Sequence, residues 1–380
     1  MLSNLIYILL ALFILSIENV VSERMCVLST VDSHGLVSEI VKVHSIIEST
    51  RNKADLFFGF ATKDQTNKQI LETALKGCFG NISAEVKILN QPPTFKKYVA
   101  PNRPVTQLAR VILPEHFPQC EKFIYIDSDA IGNIDIEEVL SFPLKRMNAE
   151  GRMEDVHSGY IFDSCHSNYI HTQRQFNMSH PDVIDMFAAN KGFYINAGVW
   201  MCNSNLWIKQ NVTGQMLEFM ERTSVEPLFI KPWDDQSLAY MVSGKNAAKL
   251  PNTFNMRRLC KHTVSNFDNG ARGFVHFAGT SAKHCNIVSY PAFAGAAGYF
   301  AGVALSLSRK CNISPQMYSQ CEKHIRLVER INAKLNLTDS RRIDVYKQVD
   351  PGYGNFTWPG LMNFTFLEPV LGRFHEKLGS

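Results

Sequence analysis

Asp127 and Asp129, with Ser128 between them, stand directly after the apolar run Lys122 to Ile126 (KFIYI). Such a run reads as a buried strand, and in extended backbone residues two apart project to the same side, so both carboxylates would face one point. Paired hard oxygens suit a divalent cation; the competing assignment is a solvated turn after a strand. Three further elements carry chemistry. Phe193 to Asn203 is strand-like but interrupted by Asn196-Ala197-Gly198, where small residues either admit a ligand to the backbone or mark a bulge. Asp235-Gln236 opens the helical run Ser237 to Val242, so Asp235 is either a ligand contact or an N-cap. Val275-His276-Phe277-Ala278-Gly279 sets an imidazole at another strand end, with the cation of Lys283 beyond it; a lone histidine there also fits a structural role.

Groups this far apart in sequence meet only if the fold collects strand ends. Met25 to Val31 is a short run rich in β-formers, and Leu36, Ile40, Val43 and Ile47 then recur at helical spacing. Ala54 to Ala61 and Glu85 to Leu89 read as further strands, with helices at Gln69 to Cys78 and near Gln107 to Leu113. Strands alternating with helices predict the α/β class: an open, mostly parallel sheet flanked by helices on both faces, with ligands bound beyond the carboxyl ends of the strands.

The 380 residues are 45% hydrophobic, enough for a sizeable core. Their 39 basic and 35 acidic residues leave a net +4, too dispersed for a nucleic-acid partner. Nine cysteines are scattered without a C-x-x-C pair, which excludes zinc ribbons and favours disulfides, the odd count leaving at least one thiol free or intermolecular. Leu5 to Ile17 is a 13-residue apolar run followed by small residues, the form of a secretory signal peptide cleaved after Ser22. It falls short of the roughly 20 residues that span a bilayer. An uncleaved anchor is the alternative, and the only membrane attachment expected. Seven Asn-X-Ser/Thr sequons, at Asn81, Asn177, Asn211, Asn312, Asn336, Asn355 and Asn363, support export into the secretory pathway lumen (ER or Golgi) or secretion. Pro291 to Leu307 is apolar but dominated by Ala and Gly, and reads as a packed helix or helical hairpin rather than a span.

Taken in order, these pieces resemble the glycosyltransferase family that includes glycogenin and bacterial lipopolysaccharide galactosyltransferases, family 8, of the GT-A fold. The resemblance covers most of residues 25 to 285. It rests on Arg110 in Leu108-Ala109-Arg110, Ile124 to Asp129, Asn196-Ala197-Gly198, Trp207 to Thr213, Asp235-Gln236, Leu250-Pro251 leading to Phe254-Asn255, and the His276 block. In that last block the family usually shows His-Phe-X-Gly-X-X-Lys-Pro-Trp. Here one extra residue precedes Lys283, and His284-Cys285 replaces Pro-Trp.

The resemblance implies a Rossmann-like GT-A domain over 23–290, after a signal peptide at 1–22 and before a C-terminal extension of unknown role at 291–380. It implies that Asp127, Asp129 and His276 coordinate Mn²⁺, which bridges the diphosphate of a UDP-sugar donor. Arg110 and Lys283 would neutralise the departing diphosphate, and Ser128, Ala197 and Gly279 would contact the donor. Asn196 and Asp235 would hold sugar hydroxyls, with Gln236 beside the anomeric carbon. Ser29, Thr30 and Asp32 would hold uracil and ribose. An amide is a feeble nucleophile, so a front-face, oxocarbenium-like route to retention suits Gln236 better than a covalent one. The implied activity is retaining transfer of a hexose or pentose to a glycan, protein or lipid acceptor. Two readings from other classes stand beside it. One is a secreted sugar- or nucleotide-binding protein with the same fold and no turnover. The other is a metal-dependent phosphohydrolase, which leaves the Asn-Ala-Gly and Asp-Gln segments unexplained.

Overall fold

Continuous apolar runs become the strands of a sheet covered on both faces. In the computed structural model the described residues are 24–31, 35–89, 106–163, 176–223, 235–257 and 272–277, with single positions at 225, 226, 228, 229, 303, 307 and 311. Numbered in chain order, the first strands are β1 (Met25–Thr30), β2 (Leu56–Thr62), β3 (Ala84–Ile88) and β4 (Lys122–Ile126). They lie parallel in the order β3-β2-β1-β4. After β5 (Ala130–Gly132), β6 (Lys145–Met147) and β7 (Met153–Asp155) come β8 (Ser158–Asp163), β9 (Tyr194–Asn203) and β10 (Ala248–Lys249). β9 enters antiparallel beside β4, and β8 and β10 complete a seven-stranded sheet. Only β9 runs against its neighbours there, so the sheet is mostly parallel, as the strand-helix alternation predicts. A smaller sheet joins β5 to β12 (Phe274–His276) and β11 (Met256–Arg257), while β6 and β7 form a hairpin.

Alternation along β4 explains the two cores. Ile124 and Ile126 pack with Ile40, Val43, Leu71 and Leu75 of helices α1 (Leu36–Ser49) and α2 (Gln65–Phe79). Phe123 and Tyr125 pack on the opposite face with Trp200, Trp207, Met216 and Leu238. Each such side chain taken from water contributes roughly 1.5–3 kcal/mol. α2 starts four residues earlier than its apolar spacing predicts, because the Asp64 side chain accepts the Asn67 N–H at 2.8 Å and caps it. It stops at Gly80, whose φ of +65° no β-carbon tolerates well.

Two disulfides are present among the described residues. Cys26–Cys120 ties β1 to the approach of β4 across 94 residues, a closure that disfavours the unfolded chain by about 4–5 kcal/mol. Cys78–Cys311 ties α2 to the C-terminal part, where Val303, Leu307 and Cys311 are buried in the same core as α1 and α2. The extension expected from 291 onward therefore contributes these three side chains to the core. Cys202 is free and buried. The segment 1–22, expected to be a signal peptide, and Asp32, Gly279 and Lys283 lie outside the described residues. Among the described residues no helix is long and apolar enough to cross a membrane.

Candidate active site

Asp127 leaves β4 with its N–H still on the sheet, donating to the Gly198 carbonyl at 2.7 Å. The chain then turns through Ser128 and Asp129, with Ala130 N–H donating to the Asp127 carbonyl at 3.2 Å, and enters β5. This corrects the extended geometry expected for the aspartate pair: a turn, not strand periodicity, brings the two carboxylates together. β5 pairs with β12 in the register Ala130 to His276, and Phe277 N–H donates to the Asp129 carbonyl at 2.9 Å. The histidine, 147 residues downstream, thereby reaches the turn. Its Nε2 lies 3.1 Å from Asp129 Oδ1 and 3.7 Å from Asp127 Oδ2.

The far side of the imidazole is fixed by two asparagines. Asn196 Oδ1 accepts the Gly198 N–H at 3.0 Å and an Asn255 Nδ2 proton at 2.5 Å. With its nitrogen so used, Asn255 turns its oxygen to His276 Nδ1 at 2.9 Å, and that ring nitrogen is the donor. Nε2 faces the two carboxylates and is the ring atom that would be offered to a cation. One atom from each of Asp127, Asp129 and His276 lies within 4.8 Å of the others. Two carboxylates and an imidazole nitrogen fit a divalent cation, and the Nδ1–H hydrogen bond is the support that metal-binding histidines usually have.

Arg110 joins the turn to the Asp235 helix. Pro114 has no N–H to offer the Arg110 carbonyl, so Leu113 supplies it and residues 110–112 tighten into a 3₁₀ turn. From there the buried guanidinium donates to the Ala197 carbonyl at 2.6 Å and to Asp127 Oδ1 at 3.1 Å, and its Nε lies 3.0 Å from Asp235 Oδ2. It also stacks 4.6 Å from the ring centre of Tyr125. The Tyr125 hydroxyl, pushed well above its usual pKa by burial, stays protonated and donates to Asp127 Oδ1 at 2.9 Å. Asp235 is the first residue of the helix Asp235–Ser243, which starts two residues earlier than expected, so it lies within the helix and not before it as an N-cap; it pairs with Arg110. Gln236 is half-buried, its Oε1 accepting the Ala197 N–H at 3.1 Å.

The Asn-Ala-Gly segment is a bulge, one of the two readings left open by its sequence. On β8, Tyr160 pairs with Trp200 but Ile161 with Asn196, so residues 197–199 bulge, and the bulge supplies the site with backbone. Thr30 stands at the end of β1 with its hydroxyl 3.0 Å from that of Tyr125. Ser29 departs from expectation. It is fully buried and its hydroxyl bonds Glu39 and Lys42, so its side chain faces inward and not toward a nucleotide. Asn255 and Tyr125 gained no role from sequence. Asn255 stood within the Leu250 to Asn255 segment without a task, and Tyr125 looked like one more apolar strand residue.

Residues 26–283 match the pattern of Glycosyl transferase family 8. Glycosyltransferase 8 domain-containing protein 1 of Danio rerio is 28% identical over 221 residues, covering 56% of this chain and 59% of its own. Probable galacturonosyltransferase-like 8 of Arabidopsis thaliana is 23% identical over 199 residues, covering 50% and 48%. The chain thus spans about half the length of these curated relatives. The crystal structure of the galactosyltransferase LgtC with donor and acceptor sugar analogues superposes with a TM-score of 0.54 at 15% identity, covering 78% of this chain and 99% of that one. The fold is GT-A, and by sequence and fold together the chain belongs to glycosyl transferase family 8.

Proposed function

We propose that this chain is a Mn²⁺-dependent retaining glycosyltransferase that moves a hexose or pentose from a UDP-sugar to an acceptor hydroxyl. The observation that carries the reading is the convergence of Asp127, Asp129 and His276 Nε2 at the strand ends, with Arg110 and Asp235 beside them. Asp127, Asp129 and His276 would hold the cation, which when bound offsets the charge that develops on a departing diphosphate. Arg110 pairs with Asp127 and Asp235 side by side and orients both. Asn196 fixes the bulge, and Asp235 supplies an acceptor for sugar hydroxyls. The Gln236 carbonyl oxygen, the only nucleophilic atom of that amide, already accepts the Ala197 N–H. That favours same-face delivery of the acceptor hydroxyl over a glycosyl-enzyme intermediate.

Transfer of sugar to water tests the reading without knowledge of the acceptor. UDP-hexoses and UDP-pentoses are incubated with the protein with and without Mn²⁺, and UDP release is measured. Release from at least one donor, dependent on Mn²⁺ and abolished in Asp127→Asn and Asp129→Asn, is expected. Binding of UDP with no release from any donor would instead favour a sugar- or nucleotide-binding protein on the same fold.

We further propose that the chain works in the lumen of the secretory pathway or outside the cell. The seven sequons support this, and Asn81 stands exposed just after α2, where a glycan meets no packed surface. An unchanged mass after glycosidase treatment of the protein from a eukaryotic host would count against it.

A further inference from the structure

Helix α1 turns a polar stripe toward the sheet, where packing alone asks for apolar residues. Glu39, Lys42, Ser45 and Ser49 are spaced by three, three and four residues, and the first three are buried. Lys42 Nζ lies 2.6 Å from Glu39 Oε1 and donates to Ser29 Oγ at 2.8 Å and to the Ile126 carbonyl at 2.9 Å. Ile126 is the residue before Asp127. One turn along, Ser45 Oγ accepts the Gly132 N–H at 3.1 Å, and Ser49 Oγ donates to the Gly132 carbonyl at 3.1 Å. Gly132 ends β5, three residues after Asp129, and pairs with Phe274 of the strand that carries His276. One face of one helix therefore grips the backbone on both sides of the aspartate turn and, through β5, the histidine strand.

A buried ion pair is a costly way to fill a core, and apolar residues of similar volume often stabilise as well or better. What the apolar pair cannot do is bind the Ile126 carbonyl, and what alanine at position 45 cannot do is accept the Gly132 N–H. We propose that Lys42 and Ser45 are positioning residues: the polar stripe of α1 clamps β4 and β5 on either side of the Asp127–Asp129 turn and sets the spacing of the three cation-binding groups. The inference rests on the reading of Asp127, Asp129 and His276 as a cation site. It extends that site to a helix that supplies none of the three groups.

Mn²⁺ binding to the full chain without donor, followed by the loss of the free-ion electron paramagnetic resonance signal, tests it. The paired substitution Glu39→Leu/Lys42→Met removes both charges together, so no lone buried charge is left. Ser45→Ala removes one hydroxyl. Ile40→Val, on the same helix but in the apolar core, is the control for general loosening. The paired variant should raise the Mn²⁺ Kd about 10- to 100-fold, in the range of other outer-shell contacts. Ser45→Ala should raise it several-fold, while Ile40→Val lowers the melting temperature and leaves Kd within about twofold. If the paired variant does not fold, Ser45→Ala against Ile40→Val decides. Wild-type Kd in a folded paired variant and in Ser45→Ala, or an equal shift in Ile40→Val, overturns the clamp alone. Wild-type protein that takes up no Mn²⁺ overturns the cation site itself and the clamp with it.

Discussion

Gly198 and His276 approach so closely that no side chain fits between them. A β-carbon on Gly198 would overlap Cε1 of the imidazole and lie 2.8 Å from Nδ1, and it would also stand 2.9 Å from Asp127 Oδ2. Both neighbours are fixed, the ring by Asn255 and Asp129 and the carboxylate by Arg110 and Tyr125. Gly198→Ala should therefore displace the ring, the carboxylate or both. The expected result is a folded protein with an Mn²⁺ Kd at least tenfold higher by calorimetry. Unchanged affinity would show that the histidine stands elsewhere.

The contact explains which parts of the site were legible in the sequence. Gly198 reads as a small residue in a strand, which signals a bulge or room for a ligand; the structure holds the bulge, and the room beside Gly198 is taken by His276. The sheet was legible because β1, β2 and β4 are apolar runs, and the aspartate pair because it follows one of them. Ser29 misled because a hydroxyl at a strand end gives no sign of the side it faces. Its partners Glu39 and Lys42 look, in sequence, like the solvated face of a helix. Asn255 stayed without a role because an asparagine that holds a histidine has no spacing to it, 21 residues away. Gly279, Lys283 and Asp32 fall outside the described residues.

Asn255 offers a prediction that separates holding from reacting. Asn255→Leu removes the acceptor of the His276 Nδ1–H and the donor to Asn196, and should weaken Mn²⁺ about 10- to 100-fold. Asn255→Asp keeps an oxygen for Nδ1 but sets a carboxylate against Asn196 Oδ1. It should keep Mn²⁺ affinity within about tenfold of wild type, by the same yardstick, while losing sugar release. Equal Mn²⁺ affinity in both variants would remove Asn255 from the support of the ring.

A pH prediction follows from His157, away from the site. Its side chain is 5% exposed, Nδ1 has no hydrogen-bond partner, and the ring meets Trp207 edge-on at 5.4 Å. Burial lowers its pKa to about 4, against about 6.5 in an unfolded chain. Between those values the unfolded chain holds a proton that the folded one refuses. The contribution to stability is complete above pH 6.5 and is lost as pH falls toward 4, by about 2 kcal/mol at pH 5. Denaturant unfolding at pH 7.5 and 5.0 should show a smaller difference for His157→Gln than for wild type, by about that amount. Equal differences would mean that the ring is charged in the fold.

Asp235 separates the sugar from the metal. It pairs with Arg110, and its own helix begins with it, so a purely structural N-terminal role is the alternative. The two roles differ in what they leave intact. Asp235→Asn keeps an oxygen at the helix start and near Arg110 but removes the charge that would order a sugar hydroxyl. If Asp235 acts on the sugar, UDP affinity with Mn²⁺ should hold while UDP release from the donor falls, because a contact made in the transition state need not hold the nucleotide. A loss of about a hundredfold in release corresponds to about 2.7 kcal/mol of transition-state stabilisation, the order of one charged hydrogen bond. Were release unchanged and only the melting temperature lower, Asp235 would be an anchor for Arg110 and its helix. The sugar would then have to be held by Asn196 and the bulge alone.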